Sequence, residues 1–154
     1  MRAQLLRSPI CFLLAMAPNL WSQQASSCTK LLNFKDPGVE ISKAASIRAG
    51  STVPVPFSAP PQILVLPAYC RIEGVINQRI GGGGEEFGIN FALAMPDQWN
   101  GDFLMQGGGG GNGIVNPPVG LTASGDTPAL TRGYAVVSTD TGHKTITAPL
   151  ILVS

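Results

Sequence analysis

Five consecutive glycines, Gly107 to Gly111, follow directly on the apolar segment Phe103-Leu104-Met105-Gln106, and a second strand-like segment, Tyr134 to Asp140, comes after them. Glycine loses more backbone freedom on folding than any other residue. Five in a row at the end of a strand therefore suggest bare amides that approach something closely or adopt positive φ. A loop of that kind can form an anion hole.

The rest of the chain is built to match. At 154 residues it is sized for one domain with a modest core. Hydrophobic residues make up 44%, which argues against disorder, while charged residues at 12% are about half the usual ~25%. Ten Lys and Arg against nine Asp and Glu leave a net charge of +1. No basic block gathers on one segment, so the electrostatic footprint of a nucleic-acid binder is missing.

Residues 1–22 read as a signal peptide. Met1-Arg2 and Arg7 give a basic start and Ile10 to Ala17 an apolar stretch, with a cleavage site near Leu20-Trp21-Ser22 or Gln23-Gln24-Ala25. The apolar stretch is shorter than the ~20 residues of a membrane-spanning helix, and Pro18-Asn19 interrupts it. The mature protein is thus expected to be secreted or periplasmic, with no membrane association after cleavage. Cys11 would leave with the signal, and Cys28 and Cys70 would remain. In an oxidising compartment a disulfide between them is favoured over the alternative of two buried thiols.

Pro54, Pro56, Pro60, Pro61 and Pro67 prevent a long helix in the first part of the mature chain, where Val39 to Ser42 and Ile63 to Leu66 read as strands. Period-two alternation continues from Cys70 to Ile76 and from Phe87 to Leu93, with Gly81 to Gly84 as a loose hairpin connection. Asn100-Gly101 is a turn signal before Phe103 to Gln106. One short helix is expected over Thr127 to Arg132, with Thr127 as N-cap, Pro128 at the first helical position and Gly133 past the end.

Four groups of residues carry a resemblance. Leu66-Pro67-Ala68-Tyr69-Cys70-Arg71 comes first, then Met95-Pro96 leading to Trp99-Asn100-Gly101-Asp102-Phe103-Leu104. The glycine run with Asn112-Gly113 follows, and then Arg132-Gly133-Tyr134 through Ser138-Thr139-Asp140-Thr141-Gly142-His143. In this order they resemble the tannase and feruloyl esterase family. The resemblance implies an α/β-hydrolase fold with a lid domain. It also implies ester hydrolysis by a serine nucleophile with histidine and aspartate, on small-molecule esters of aromatic acids such as galloyl or feruloyl esters or the monoester of terephthalate. In such a fold one oxyanion donor comes from the loop after the third strand. The glycine run stands there, and Gly108, Gly109 and Gly110 are the candidate donors.

The departures from the family pattern are as specific. No glycine-cysteine-serine nucleophile elbow occurs, nor do the later segments that bring the aspartate and histidine. No catalytic triad residue is therefore assigned within the chain, and the triad is expected beyond Ser154. The expected fold is thus a partial α/β-hydrolase: the β-rich N-terminal portion of the core sheet, without elbow or lid, over residues 23–143. Residues 144–154 form an apolar tail that does not align and reads as the end of a truncated or frame-shifted frame. The fragment is expected to be inactive alone, with exposed apolar sheet edges. The family's calcium belongs to the lid, so no cofactor is expected, and a lone histidine with scattered carboxylates makes no metal-ligand set.

Three patterns imitate other sites without their geometry. Ser138, Asp140 and His143 are the triad residue types within six positions. Alternation puts the first two on one face and the histidine past a turn, which is no triad geometry. Gly108-x-Gly110-x-x-Gly113 imitates a dinucleotide fingerprint, but Asn116-Pro117-Pro118 denies the helix that must receive the pyrophosphate. No lysine followed by serine or threonine follows a glycine run, so a P-loop is excluded too. The competing reading is a secreted β-rich binding module in which Tyr69, Trp99 and Phe103 form a contact surface, against their simpler role in core packing.

Overall fold

Short alternating segments between turn formers build a sheet, with almost no helix among the described residues. The computed structural model describes residues 27–54, 60, 62–107, 112–121 and 127–142. The strands are β1 (Val39–Ile47), β2 (Thr52–Pro54), β3 (Ile63–Val65), β4 (Tyr69–Ile80), β5 (Glu86–Pro96), β6 (Phe103–Gln106) and β7 (Ala135–Thr139). Five of them form one sheet in the order β1-β4-β5-β7-β6, while β2 and β3 pair separately as an antiparallel ribbon. The pairs β1–β4, β4–β5 and β5–β7 are antiparallel, and β6–β7 is parallel.

Several elements run longer than the sequence pattern suggests, and two bulges explain why. In β1 the register shifts between Ile41 and Lys43, with Ser42 as the extra residue, whose hydroxyl donates to the Glu73 carbonyl at 3.1 Å. In β4 the shift falls between Ile76 and Arg79, where Asn77 takes φ 52° and its amide donates to the Gly38 carbonyl at 2.7 Å. An extra residue resets the alternation, so a period-two reading stops at the bulge although the strand continues. Gly81 to Gly84 connects β4 to β5 as expected, through a 3₁₀ turn over Gly82–Gly84.

The helix expected over Thr127 to Arg132 is a 3₁₀ turn, Ala129–Arg132. Pro128 sits at its N-cap in extended geometry rather than at the first helical position, and no side chain caps it. Gly133 does close it in the left-handed region, at φ 88°. A third 3₁₀ turn, Lys30–Asn33, follows helical residues 27–29 and has no counterpart in the sequence pattern.

The two sheet faces are covered unequally. On one face residues 112–121 and 127–134 fold back, and Val119, Ala129 and Leu130 pack with Leu66, Tyr69, Ala94 and Val136. On the other face the turn after Ser27 is fastened by the Cys28–Cys70 disulfide, with a Cα–Cα distance of 5.6 Å. There Cys28 packs with Ala44, Ile72 and Phe91, and Leu31 adds to this second cluster. That cluster reaches Val137 of β7, while Phe103 and Met105 of β6 stay 61% exposed.

Candidate functional site

Because β6 and β7 run parallel, Phe103 to Gln106 against Ala135 to Ser138, both chains leave the sheet at one edge. Carboxyl ends of parallel strands are where open α/β sheets bind their ligands. Gly107 leaves β6 there with open space around its Cα, and residues 139–142 leave β7 beside it. The candidate oxyanion residues Gly108, Gly109 and Gly110 lie outside the described residues, as do Gly111, His143, the signal segment and the tail that ends at Ser154. The expectation that the triad follows Ser154 concerns polypeptide outside the described residues as well.

The described residues on either side of the glycine run are held. The Asn112 side-chain amide donates to the Thr139 carbonyl at 3.0 Å, which ties Asn112 to the carboxyl end of β7. Gln106, the last residue of β6, accepts from the Gly120 amide at 2.7 Å and donates to the Pro117 carbonyl at 3.3 Å. Gly120 has φ 71°, and a Cβ there would stand 2.6 Å from that of Ala129, so only glycine fits this crossing. One glutamine thus staples the returning segment beneath the end of β6.

Asp140 is buried, and three donors converge on its carboxylate. The backbone amides of Asn90 and Gly142 donate to Oδ1 at 3.0 and 2.9 Å, and the Asn90 side chain donates to Oδ2 at 2.6 Å. The Asp140 amide in turn donates to the Asn90 carbonyl at 3.1 Å, which ties the end of β7 to β5. Thr141 at φ 58° and Gly142 at φ 83° then form the turn that precedes His143. Asp140 therefore bonds loop amides. Ser138 is 2% exposed and lies in register with Ala92 on one side and Gln106 on the other, which denies it to any substrate.

The remaining motif residues stand at the opposite edge. Trp99 Nε1 donates to the Asp102 carbonyl at 2.7 Å, and the Asn100 side chain accepts from the Asp102 amide at 2.8 Å while donating to the Arg132 carbonyl at 3.0 Å. The Asn100 amide donates to the Gly133 carbonyl at 2.9 Å, and the Ala135 amide donates to the Asp102 carbonyl at 3.0 Å. This turn locks the start of β6 to the start of β7. Of the three aromatic residues considered as a contact surface, Tyr69 is core, while Trp99 and Phe103 are exposed.

Beside Asn90 a shallow cleft of about 340 Å³ opens over Arg71, Glu73 and Val115. Arg71 Nε donates to Glu73 at 2.6 Å, and this bond, aided by the charges of Arg71 and Lys43 and opposed by partial burial, holds the Glu73 carboxyl below its usual range. Burial pushes Asp97 the other way. Among the described residues no group of three His, Cys, Asp or Glu side chains could hold a metal ion, and no helix is long and apolar enough to cross a membrane.

The model of the tannase and feruloyl esterase family matches residues 70–153. The chain belongs to that family. It is 42% identical over 79 residues to the mono(2-hydroxyethyl) terephthalate hydrolase of Piscinibacter sakaiensis, a match that covers 51% of this chain and 13% of that protein. To an uncharacterized esterase of Xanthomonas campestris pv. campestris it is 33% identical over 123 residues, 78% of this chain and 19% of the other. In structure it is similar to feruloyl esterase B from Aspergillus oryzae, with TM-score 0.55 and 21% identity over 78% of this chain and 22% of that one. A second Aspergillus oryzae esterase gives the same TM-score at 22% identity. The fold is a partial α/β-hydrolase, and the chain spans between about an eighth and a fifth of the length of these curated relatives.

Gln106 and Asn90 do not stand out in the sequence. Their partners lie 14 and 50 residues away, a separation that no local pattern reveals.

Proposed function

We propose that this chain is the N-terminal part of an exported carboxylic ester hydrolase acting on small-molecule esters of aromatic acids. Ester cleavage passes through a tetrahedral intermediate whose oxygen becomes negative, and donors set in advance stabilise that charge without reorganising. Amides within Gly108 to Gly110 are the proposed donors. The observation that supports this reading is the Asn112–Thr139 hydrogen bond, which ties the residue after the run to the carboxyl end of β7, while Gln106 before the run ends the parallel neighbour β6. A loop free at one end would hold no fixed geometry.

The serine nucleophile, its histidine and its aspartate match no residue of this chain and belong to polypeptide beyond Ser154. The chain by itself is therefore expected to be inactive. Its place in the reaction is to fix the oxyanion loop. Asn112 and Asp140 hold the two segments that leave the carboxyl edge, and the disulfide and the apolar start of the sequence fit an exported protein.

Complementation tests this. The full chain is co-expressed with the part of the terephthalate-monoester hydrolase that follows the matched stretch, and hydrolysis of a chromogenic aromatic ester is measured. Neither part alone should turn over substrate, and the complex should. In the complex, proline at the functional glycine of the three removes its N–H and should lower kcat by roughly 10²–10³. An assembled complex that is silent, or one indifferent to proline at all three positions, overturns the proposal.

A further inference from the structure

Two asparagines of the chain precede glycine, in the pairs Asn100-Gly101 and Asn112-Gly113. The peptide nitrogen that follows an asparagine can close a cyclic imide onto the side-chain carbonyl, and glycine shields that nitrogen least because it has no Cβ. The Gly101 and Gly113 amides both lack a hydrogen bond among the described residues, so the contrast between the pairs lies in the asparagine side chains.

Asn100 is engaged at both ends of its side chain. It accepts from the Asp102 amide at 2.8 Å and donates to the Arg132 carbonyl at 3.0 Å, while its own amide donates to the Gly133 carbonyl. Asn112 has one bond, from its side-chain amide to the Thr139 carbonyl at 3.0 Å, and its Oδ1 has no donor among the described residues. Gly113 stands at φ 153°, and residues 112–117 lie outside strand and helix, so no ladder holds the backbone there. Ring closure requires the side chain to turn toward the following nitrogen. That movement breaks two side-chain hydrogen bonds at Asn100 and one at Asn112.

We propose that Asn112-Gly113 is a self-modifying site, and that its conversion unfastens the segment after the glycine run from β7. The Gly113 nitrogen gives up its proton and bonds to Asn112 Cγ. The Cγ–Nδ2 bond breaks, and Nδ2 departs with that proton as ammonia. Water then adds to one carbonyl of the imide and opens the ring, to aspartate by one route and isoaspartate by the other. One water enters and one ammonia leaves, with no other reactant. In the aspartate product a carboxylate oxygen stands where Nδ2 stood, facing the Thr139 carbonyl with no proton between them. Two acceptors at that distance repel, so the tie to β7 is lost. The site is independent of the ester chemistry, because conversion is read by mass and not by turnover.

The test incubates the full native chain in warm, mildly alkaline buffer beside a sample unfolded in urea. A protease that cuts before aspartate separates the two pairs, leaving Asn100 in residues 97–101 and Asn112 in residues 102–125. Mass spectrometry with fragmentation then reads the replacement of amide by acid at each asparagine. In the native chain Asn112 should convert about fivefold faster than Asn100 or more, the effect of one side-chain hydrogen bond fewer, and in urea the two should convert alike. Residues 112–121 should exchange backbone hydrogens faster in the aged chain than in the fresh one, a comparison that needs no variant, and Asn112→Asp should reproduce the change. Conversion of Asn100 as fast as Asn112 in the native chain overturns the proposal, as does an Asn112 that stays intact. Conversion that leaves exchange over residues 112–121 unchanged overturns the release. Selective conversion together with a complementation experiment that yields no turnover leaves this site standing and sinks only the esterase reading.

Discussion

The Cys28–Cys70 bridge contributes a stabilisation whose magnitude follows from the length of chain it closes. It closes a loop with a sequence separation of 42. In the loop-entropy treatment, a closure of that length removes about 13 cal/mol/K from the unfolded chain, or about 4 kcal/mol at 25 °C. Domains of this size keep only ~5–15 kcal/mol in all. The bridge also anchors the segment that covers β1, β4 and β5, where Cys28 is 4% exposed among Ala44, Ile72 and Phe91. The double variant Cys28→Ser, Cys70→Ser should therefore unfold far earlier in urea than the oxidised protein. With a slope of about 1.5 kcal/mol/M, the midpoint should fall by roughly 2–3 M. Reduction of the natural chain should give the same shift. A fall of less than about 0.5 M would refute the reasoning, and so would alkylation of both thiols in the native protein without a reductant.

Two further perturbations have definite outcomes. Asp140→Ala removes the acceptor of three donors at a buried position and should destabilise by roughly 3–5 kcal/mol, with Asp140→Asn intermediate because its new amide faces that of Asn90; urea midpoints decide, and a loss under about 1 kcal/mol would mean the cluster relaxes onto water. The acid limb of stability should carry the Glu73 signature: its folded pKa lies below the ordinary 4.5, so its contribution is complete above that pH and is lost as pH falls through the lowered value. Asp97, raised by burial above 3.8, works in the opposite sense and gains stability on acidification, so Glu73→Gln should flatten the urea midpoint between neutral and acid pH and Asp97→Asn should steepen it.

What the sequence reveals and what it hides divide along the range of the interactions involved. β6 is legible to the residue, because Phe103 to Gln106 is bounded by a turn signal before it and glycine after it. Gly133 as a helix-closing glycine is legible for the same local reason. The pairing of β6 in parallel beside β7, with β7 inserted between β5 and β6, is not legible, since it depends on which apolar surface Val119, Ala129 and Leu130 cover. The bulges at Ser42 and near Asn77 hide the full lengths of β1 and β4 by breaking the alternation on which a strand is recognised. Pro128 misleads in a different way: its fixed φ suits the first position of a helix and equally an extended cap, and only the packing of Ala129 and Leu130 selects the second.

The same division runs through the site. The glycine run can be singled out from composition alone, yet the described residues that flank it are held by partners distant in sequence. Trp99, Asn100 and Asp102 join Arg132 and Gly133 at the amino edge and set β6 against β7 there. Four parallel register pairs carry that alignment to Gln106 and Ser138 at the other edge. Only then do Gln106, Asn112 and Asp140 find their acceptors and donors in place. The turn before β6 is thus as necessary to the placement of Gln106 and Asn112 as those residues' own hydrogen bonds. On the proposed reading of the glycine run, a motif at the opposite edge would help fix where the substrate's charge is met, by keeping two strands from slipping past one another.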